Sequence, residues 1–408
     1  SKPESYMMYL DANNLYGWAM CQHLPIGEYE WVEMTAEQLL AADPEGEFGY
    51  IAEVDMEYPR ELHRNHQLLP LMPESRAVDD SELSDYQLGF NANNKNEKLI
   101  SSLNDKTAYV SHYRNIRQAV SLGMRVKAVH RVIKFRQSQW LAPYIQFNNA
   151  QRIKARNDFE KDFFKLCNNA VFGKTMEDVR GRLKFEFIAA DDEERLLKYT
   201  SKPTFIVEWE ELHDLRALKM QVRTVRLNKP IAVGVSILEL SKVHMFNFHY
   251  GVMLPRYGVE NMKLCMTDTD SLFYHITTPD VYADMGEMRE HFDLSEYHKS
   301  NPLYDATNKK VLGKFKDEAA GEIITEFVGL RAKLYAYRKH DGKEDKRCKG
   351  VSKSVVKDMK LVEYLRCLES GESKTATMTT INSRSHALET RCITKTALAA
   401  FDNKRKLL

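Results

Sequence analysis

The run Asp268-Thr269-Asp270-Ser271 sets two carboxylates two residues apart. On an extended chain, residues i and i+2 point to one face. Two carboxylates so placed do not both ionise easily unless a cation lies between them. Apolar Leu264, Cys265 and Met266 precede the run and Leu272, Phe273 and Tyr274 follow it, which buries its flanks. Buried paired acids suit Mg²⁺, a hard ion that takes oxygen ligands. The plainer alternative is an Asp-rich turn with solvated side chains. A lone Asp11 ends the apolar run Tyr6-Met7-Met8-Tyr9-Leu10, a position suited to binding metal at a sheet's edge; its alternative is capping a helix that begins near Leu15. Lys161, Lys165 and Asn169 recur every four residues on one helical face, with Lys154 roughly in line behind them. Such a row of ammonium groups can hold a polyphosphate, although most such rows are solvated basic faces. Each pattern is weak or moderate alone. Together, acids on strand ends and a basic helix are the parts of nucleotidyl transfer. There, two metal ions ~4 Å apart activate the attacking hydroxyl and hold the triphosphate, and catalysis is mostly positioning and charge stabilisation.

These groups need a scaffold. The pattern predicts strands at 6–10, 50–56 and 183–188, and a strand-turn-strand over 263–276. It predicts a long basic helix over 149–174, an acidic helix start at 191–194 and a core helix over 231–254 despite Gly234 and Gly251. The stretch 73–104 reads as a polar loop or insertion, and the tail from Lys349 as polar, helical and basic. Strands separated by helices and long insertions predict an α+β fold, a core sheet carrying helical attachments.

Composition sets the outer bounds. At 408 residues the chain should hold two to four structural units. With 43% hydrophobic and 29% charged residues it is not wholly disordered. Lys+Arg at 59 against Asp+Glu at 58 leaves no global basic excess, so nucleic-acid binding needs a local face. The segment 109–140 offers one, with Arg125, Lys127, Arg131, Lys134 and Arg136 beside Tyr113, Phe135 and Trp140; the alternative is that Phe135 and, above all, Trp140 are core residues. Six scattered cysteines without a CxxC pair point to reduced thiols in an intracellular protein, with nucleus, mitochondrion and viral factory not distinguished. No apolar run approaches the ~20 residues that span a bilayer, so no membrane is expected. Ser1 in place of Met marks an excised segment. His63 and His66 have zinc-chelating spacing but no third ligand nearby, and read as a solvated loop.

The three patterns, in this order, resemble motifs A, B and C of a family B DNA polymerase, of the protein-primed type found in viruses, linear plasmids and Maverick/Polinton-like transposons. Motif A, roughly Asp-x-x-Ser-Leu-Tyr-Pro, corresponds to Asp11 to Gly17, with Asn14 and Gly17 in place of Ser and Pro. Motif B, Lys-x-x-x-Asn-Ser-x-Tyr-Gly, corresponds to Lys165 to Gly173, with Ala170 for Ser and Phe172 for Tyr. Motif C, Tyr-x-Asp-Thr-Asp-Ser, corresponds to Met266 to Ser271. Lys333-Leu334-Tyr335 resembles the Lys-x-Tyr motif that holds the primer strand, and the tracts 312–316 and 325–337 also look like transposon-type members.

The resemblance implies a right-hand polymerase with an antiparallel palm sheet, helical fingers and a small thumb. The implied division is 1–108 (palm, with an insertion at about 30–108), 109–177 (fingers), 178–345 (palm, with an insertion at about 178–228) and 346–408 (truncated thumb). Asp11 and Asp268 become the principal ligands of two Mg²⁺ ions, for which Mn²⁺ can substitute, with Asp270 a neighbouring acid and the Ala12 carbonyl completing a shell. Tyr16 lies under the incoming sugar and excludes a 2′-hydroxyl. Lys165 contacts the triphosphate of the dNTP with Lys161 as helper. Asn169, Phe172 and Gly173 line the nascent pair and template, and Thr269, Lys333 and Tyr335 lie toward the primer. Implied partners are primer-template DNA, dNTP and a terminal priming protein. Motif A begins too early to leave room for the usual exonuclease domain, so proofreading is not expected of this chain. The rivals are a catalytically silent DNA-binding remnant of a mobile element and another palm-class enzyme such as a reverse transcriptase.

Overall fold

The structure, a computed structural model, describes residues 4–90, 97–212, 214–384 and 387–400. The stretch 401–405, read as an abrupt end to the thumb, lies outside the described residues. Strand β1 (Ser5–Ala12) is nearly all apolar, and Met8, Tyr9, Leu10 and Ala12 are buried. Such a run belongs in the middle of a sheet. Helix α1 (Leu15–Met20) follows after Asn14, whose side chain caps it by accepting from Gly17 N–H at 3.2 Å. The cap is therefore Asn14, and Asp11 is left free of that duty.

The basic stretch expected as one helix is two, α2 (Ala142–Lys154) and α3 (Asp158–Thr175). Asn157 starts the second by accepting from Glu160 N–H at 2.9 Å; Asn favours this cap over a helix interior. Helix α4 (Ile231–Phe248) is apolar nearly all round, as a helix buried on every side must be. Its Val233, Ile237 and Leu240 pack with Ala19, Met20 and Ile145. Its Phe246 packs in a core with Ala52, Val54 and Ile116, and its Met245 and Phe248 pack in another with Met8, Leu10 and Leu272. With its continuation to Asn261 it is long and apolar enough to cross a membrane by length and composition, contrary to the sequence reading, but 61% of that window is buried within the protein.

The remaining strands of the main sheet are β2 (Met262–Asp268), β3 (Ser271–Thr277), β4 (Phe315–Asp317), β5 (Ile324–Arg331), β6 (Leu334–Lys339) and β7 (Glu344–Cys348). Their order is β2-β3-β1-β5-β6-β7, all antiparallel, with β4 also paired to β1. Asp11 lies opposite Ser271 on β3 and opposite Lys316 on β4.

Four smaller sheets among the described residues accompany it, one of them the short pair Glu74–Arg76 and Lys98–Ile100. Leu24–Val32, Arg125–Ser138, Phe48–Glu57 and Lys106–His112 form a four-stranded sheet in that order. Lys184–Ala189, Leu215–Met220 and Phe205–Leu212 form a three-stranded one. Lys374–Arg384 pairs with Ala387–Leu398 as a ribbon. The expected division at 109 falls inside a strand of the four-stranded sheet, and that at 345 falls inside β7. The tail is helical only over Lys353–Asp358 and Leu361–Ser370 before the ribbon begins. Thr375, Thr377, Thr379, Thr380 and Ile381 favour a strand there, because β-branched side chains pack well on a pleated surface. His63 and His66 form one helical turn rather than a solvated loop. His66 is buried with Nδ1 2.9 Å from the Tyr58 hydroxyl, and burial, then His63, push its pKa down to about 4.

Candidate active site

The motif C acids are separated by a chain reversal. Asp268 is the last residue of β2, Ser271 the first of β3, and Thr269-Asp270 the turn between them. Thr269 sits at φ +60°, a left-handed conformation costly for a β-branched residue. The same-face argument for Asp268 and Asp270 therefore fails, since it assumed an extended chain. The reversal brings Asp270 over β1, where its carbonyl accepts from Ala12 N–H at 2.7 Å.

Burial, then Asp270 and Glu318, push the Asp11 carboxyl up to about 7, against the pull of Lys316 and Lys165. Burial, then Asp268, also raise Asp270, opposed by Lys333 and Lys165. Asp268 is engaged by Lys333, with Nζ 3.3 Å from Oδ1. Asp11 and Asp270 are thus both raised, Asp11 in part by the charge of Asp270 and Asp270 in part by that of Asp268.

Two clefts meet at this pair. The smaller, about 430 Å³, is lined by Asp11, Ala12, Asp270 and Thr269 on the sheet side, and by Tyr16, Lys165 and Asn169 opposite. The larger, about 850 Å³, holds Asp11, Asp268 and Asp270 at one end and runs past Lys333 and Tyr335 to Arg347, Lys349, Lys353 and Lys357. Tyr16 stacks on Phe172 with ring centroids 4.5 Å apart, joining α1 to α3. Tyr335 is buried, and its hydroxyl is 2.8 Å from that of Tyr9.

Two expected site residues stand apart. Lys161 pairs with Asp158 at 2.9 Å and does not line the smaller cleft. Gly173 is exposed in the last turns of α3 and lines neither cleft. Arg152 lines the smaller cleft together with Lys316 and Glu318, and sequence reasoning missed all three. Arg152, not Lys154, is on the side of α2 that faces the cleft. Lys316 Nζ lies 2.5 Å from Glu318 Oε1, an ion pair poorly angled for a hydrogen bond. The alternation of Lys316 and Glu318 was the available signal, but a three-residue strand gives no hint of its pairing with Asp11.

Among the described residues no three His, Cys, Asp or Glu side chains already converge as metal ligands. The donor set nevertheless fits a hard cation. Asp11 and Asp270 are half-buried oxygen donors, the charge of Asp270 opposes ionisation of Asp11, and a divalent ion would relieve that repulsion.

The basic segment 109–140 is spent elsewhere. Arg125 pairs with Glu61 at 3.2 Å, Lys127 with Asp105 at 3.3 Å, Arg131 with Glu53 at 2.5 Å and Lys134 with Glu30 at 2.7 Å. Arg136 meets Glu28 and Glu47, and His130 lies 3.0 Å from Asp55. Tyr113 and Phe135 are fully buried and cannot stack on bases, whereas Trp140, expected in the core, is 47% exposed.

An antiparallel sheet with carboxylates where two clefts meet and a cationic helix across one of them define an α+β protein with one acidic centre open to two clefts. The model of DNA polymerase type B, organellar and viral, matches residues 2–250, and the chain belongs to that family. This removes the reverse-transcriptase alternative. The fold is similar to solved structures of phi29 DNA polymerase. The orthorhombic crystal form matches with a TM-score of 0.57 and 13% identity, over 97% of this chain and 59% of that one. The ternary complex with primer-template DNA and incoming nucleotide substrates matches with a TM-score of 0.57 and 14% identity over the same shares. The chain thus spans 59% of the length of these structures. No curated protein matches it in sequence.

Proposed function

We propose that this chain is the polymerising part of a DNA-directed DNA polymerase, adding dNTPs to a DNA 3′ end or to the hydroxyl of a priming protein. The observation that carries the reading is the meeting of two clefts at Asp11 and Asp270: transfer between two substrates needs both reacting ends at one acidic centre. The main sheet serves as palm, α2 and α3 as fingers, and the segments after β7 as thumb.

Asp11 and Asp270 would hold two Mg²⁺ ions with the Ala12 carbonyl, and Asp268, already paired with Lys333, is the neighbouring acid. The ions, when bound, would lower the pKa of the attacking hydroxyl and stabilise charge on the leaving pyrophosphate. Lys165 and Arg152 face the triphosphate across the smaller cleft, and Asn169 lies one turn beyond Lys165. Tyr16, fixed by its stack on Phe172, forms the floor beneath the sugar and leaves no room for a 2′-hydroxyl. The larger cleft takes the primer-template duplex. Arg347, Lys349, Lys353 and Lys357 form no ion pair among the described residues and are available to phosphates.

Primer extension tests this directly. The chain, a primed DNA template, dNTPs and Mg²⁺ should yield elongated product, and Asp270→Asn should not. Salt-sensitive DNA binding without extension by the parent chain would favour the silent remnant instead.

A further inference from the structure

A buried carboxylate outside both clefts holds the nucleotide side in place. Asp293 is 3% exposed. Its Oδ2 accepts from Asn13 Nδ2 at 2.7 Å and from Lys310 N–H at 2.7 Å, and its Oδ1 accepts from Ser295 N–H at 3.1 Å. Its own N–H donates to the Phe315 carbonyl at 2.8 Å, at the start of β4. The backbone of Asn13 is gripped by the same segment: its N–H donates to Lys314 O at 2.8 Å and its carbonyl accepts from Gly313 N–H at 2.7 Å.

Asn13 is the hinge of the nucleotide cleft. Ala12, and beyond it Asp11, precede it on β1. Asn14, at φ +43°, follows and caps the helix that carries Tyr16. Lys310, at the other end of the Asp293 bridge, is also left-handed, at φ +55°. Non-glycine residues persist in that region only where their surroundings over-determine them. The Asp293 carboxylate constrains Lys310 directly and Asn14 through its neighbour Asn13, by charge-assisted hydrogen bonds that are stronger than neutral ones.

We infer that Asp293 is a positioning residue that acts through Asn13 to fix the Ala12–Tyr16 turn, and so sets the distance between Asp11 and the sugar-binding ring of Tyr16. The kinetic part of this inference rests on the polymerase reading above; the structural part does not.

The test uses the full chain with Asp293→Asn and, from the other side of the bond, Asn13→Ala. Hydrogen exchange should quicken about tenfold or more in a peptide covering 11–20, because the turn loses the side-chain tether at Asn13 and opens more often. A peptide covering 48–57, in the four-stranded sheet, should stay within about twofold. Unchanged exchange at 11–20, or equal acceleration in both peptides, would overturn the inference. In single-nucleotide incorporation both variants should raise KM for dNTP and admit more ribonucleotide. The double variant should be no worse than Asp293→Asn alone, since both remove one interaction. Multiplicative effects would overturn the coupling. A parent chain that incorporates nothing would sink the polymerase reading, and the exchange result would still decide the role of Asp293.

Discussion

In the four-stranded sheet, the cations of Arg125–Ser138 each lie beside a carboxylate, most of them across a strand boundary. In the main sheet, Asp11 and Asp270 gather beside β1 with too little positive charge to offset their burial. The first arrangement is electrostatically complete, and exposed pairs of this kind contribute little to stability. The second is incomplete, and a cation would complete it. Density of charge along the sequence is therefore a poor guide to a binding face. What matters is whether the fold has already supplied the counter-charge.

The contrast yields tests of decreasing size. Asp11→Asn or Asp270→Asn should lower single-nucleotide incorporation by about a thousandfold or more, since the charge stabilisation comes through these groups. DNA affinity, read by anisotropy, should hardly move; residual activity within tenfold of the parent would remove either residue from the centre. Tyr16→Ala should shift the dNTP-to-NTP preference by about tenfold or more, measured as a ratio of kcat/KM values. Arg347→Ala or Lys349→Ala should weaken DNA binding several-fold and reduce the salt slope by about 1 each. Arg131→Ala and Lys134→Ala, whose charges are matched, should leave both within about twofold. Equal losses from the two pairs would erase the distinction between the sheets.

The smallest effect concerns pH. The folded Asp11 carboxyl is raised from an ordinary value near 3.8 to about 7. Its contribution to stability is thus fully present below about 4 and is lost as pH rises through about 7. In EDTA the melting temperature should fall across that window. Asp11→Asn should flatten the fall and melt a few degrees higher at pH 8. Mg²⁺ should restore the parent at pH 8 and do little for the variant.

Much of the chemistry was legible because it is local. Asp11 at the end of an apolar run, the Asp-Thr-Asp turn, and Lys165 and Asn169 one helical turn apart are patterns of a few residues, and Asp11, Thr269, Asp270, Lys165 and Asn169 all line the smaller cleft. The apolar stretch at 231–254 announced a core helix for the same reason, and α4 occupies it to Phe248. What could not be read depends on pairing across long separations. The cations of 125–136 looked available because their partners at Glu28, Glu30, Glu47, Glu53 and Glu61 lie far back in the chain. Trp140 and Phe135 were ranked by type, whereas strand register decided that Phe135 is buried and the chain past the strand leaves Trp140 outside. That Asp270 rather than Asp268 lines both clefts with Asp11 hung on one left-handed residue, Thr269, that reverses the chain between them.

Helix α4 contributes side chains to three separate apolar cores: one beneath the main sheet, one inside the four-stranded sheet and one under α1 and α2. A molecule tied together this way does not come apart in modules. Deleting the four-stranded sheet to obtain a minimal enzyme would strip one flank of the helix, exposing Phe246 and Tyr250 to water. A fragment library cut at the apparent borders between sheets should yield insoluble pieces, and proteases should find few stable intermediates. The accessory sheet is thus structurally indispensable to the part of the protein that carries Asp11.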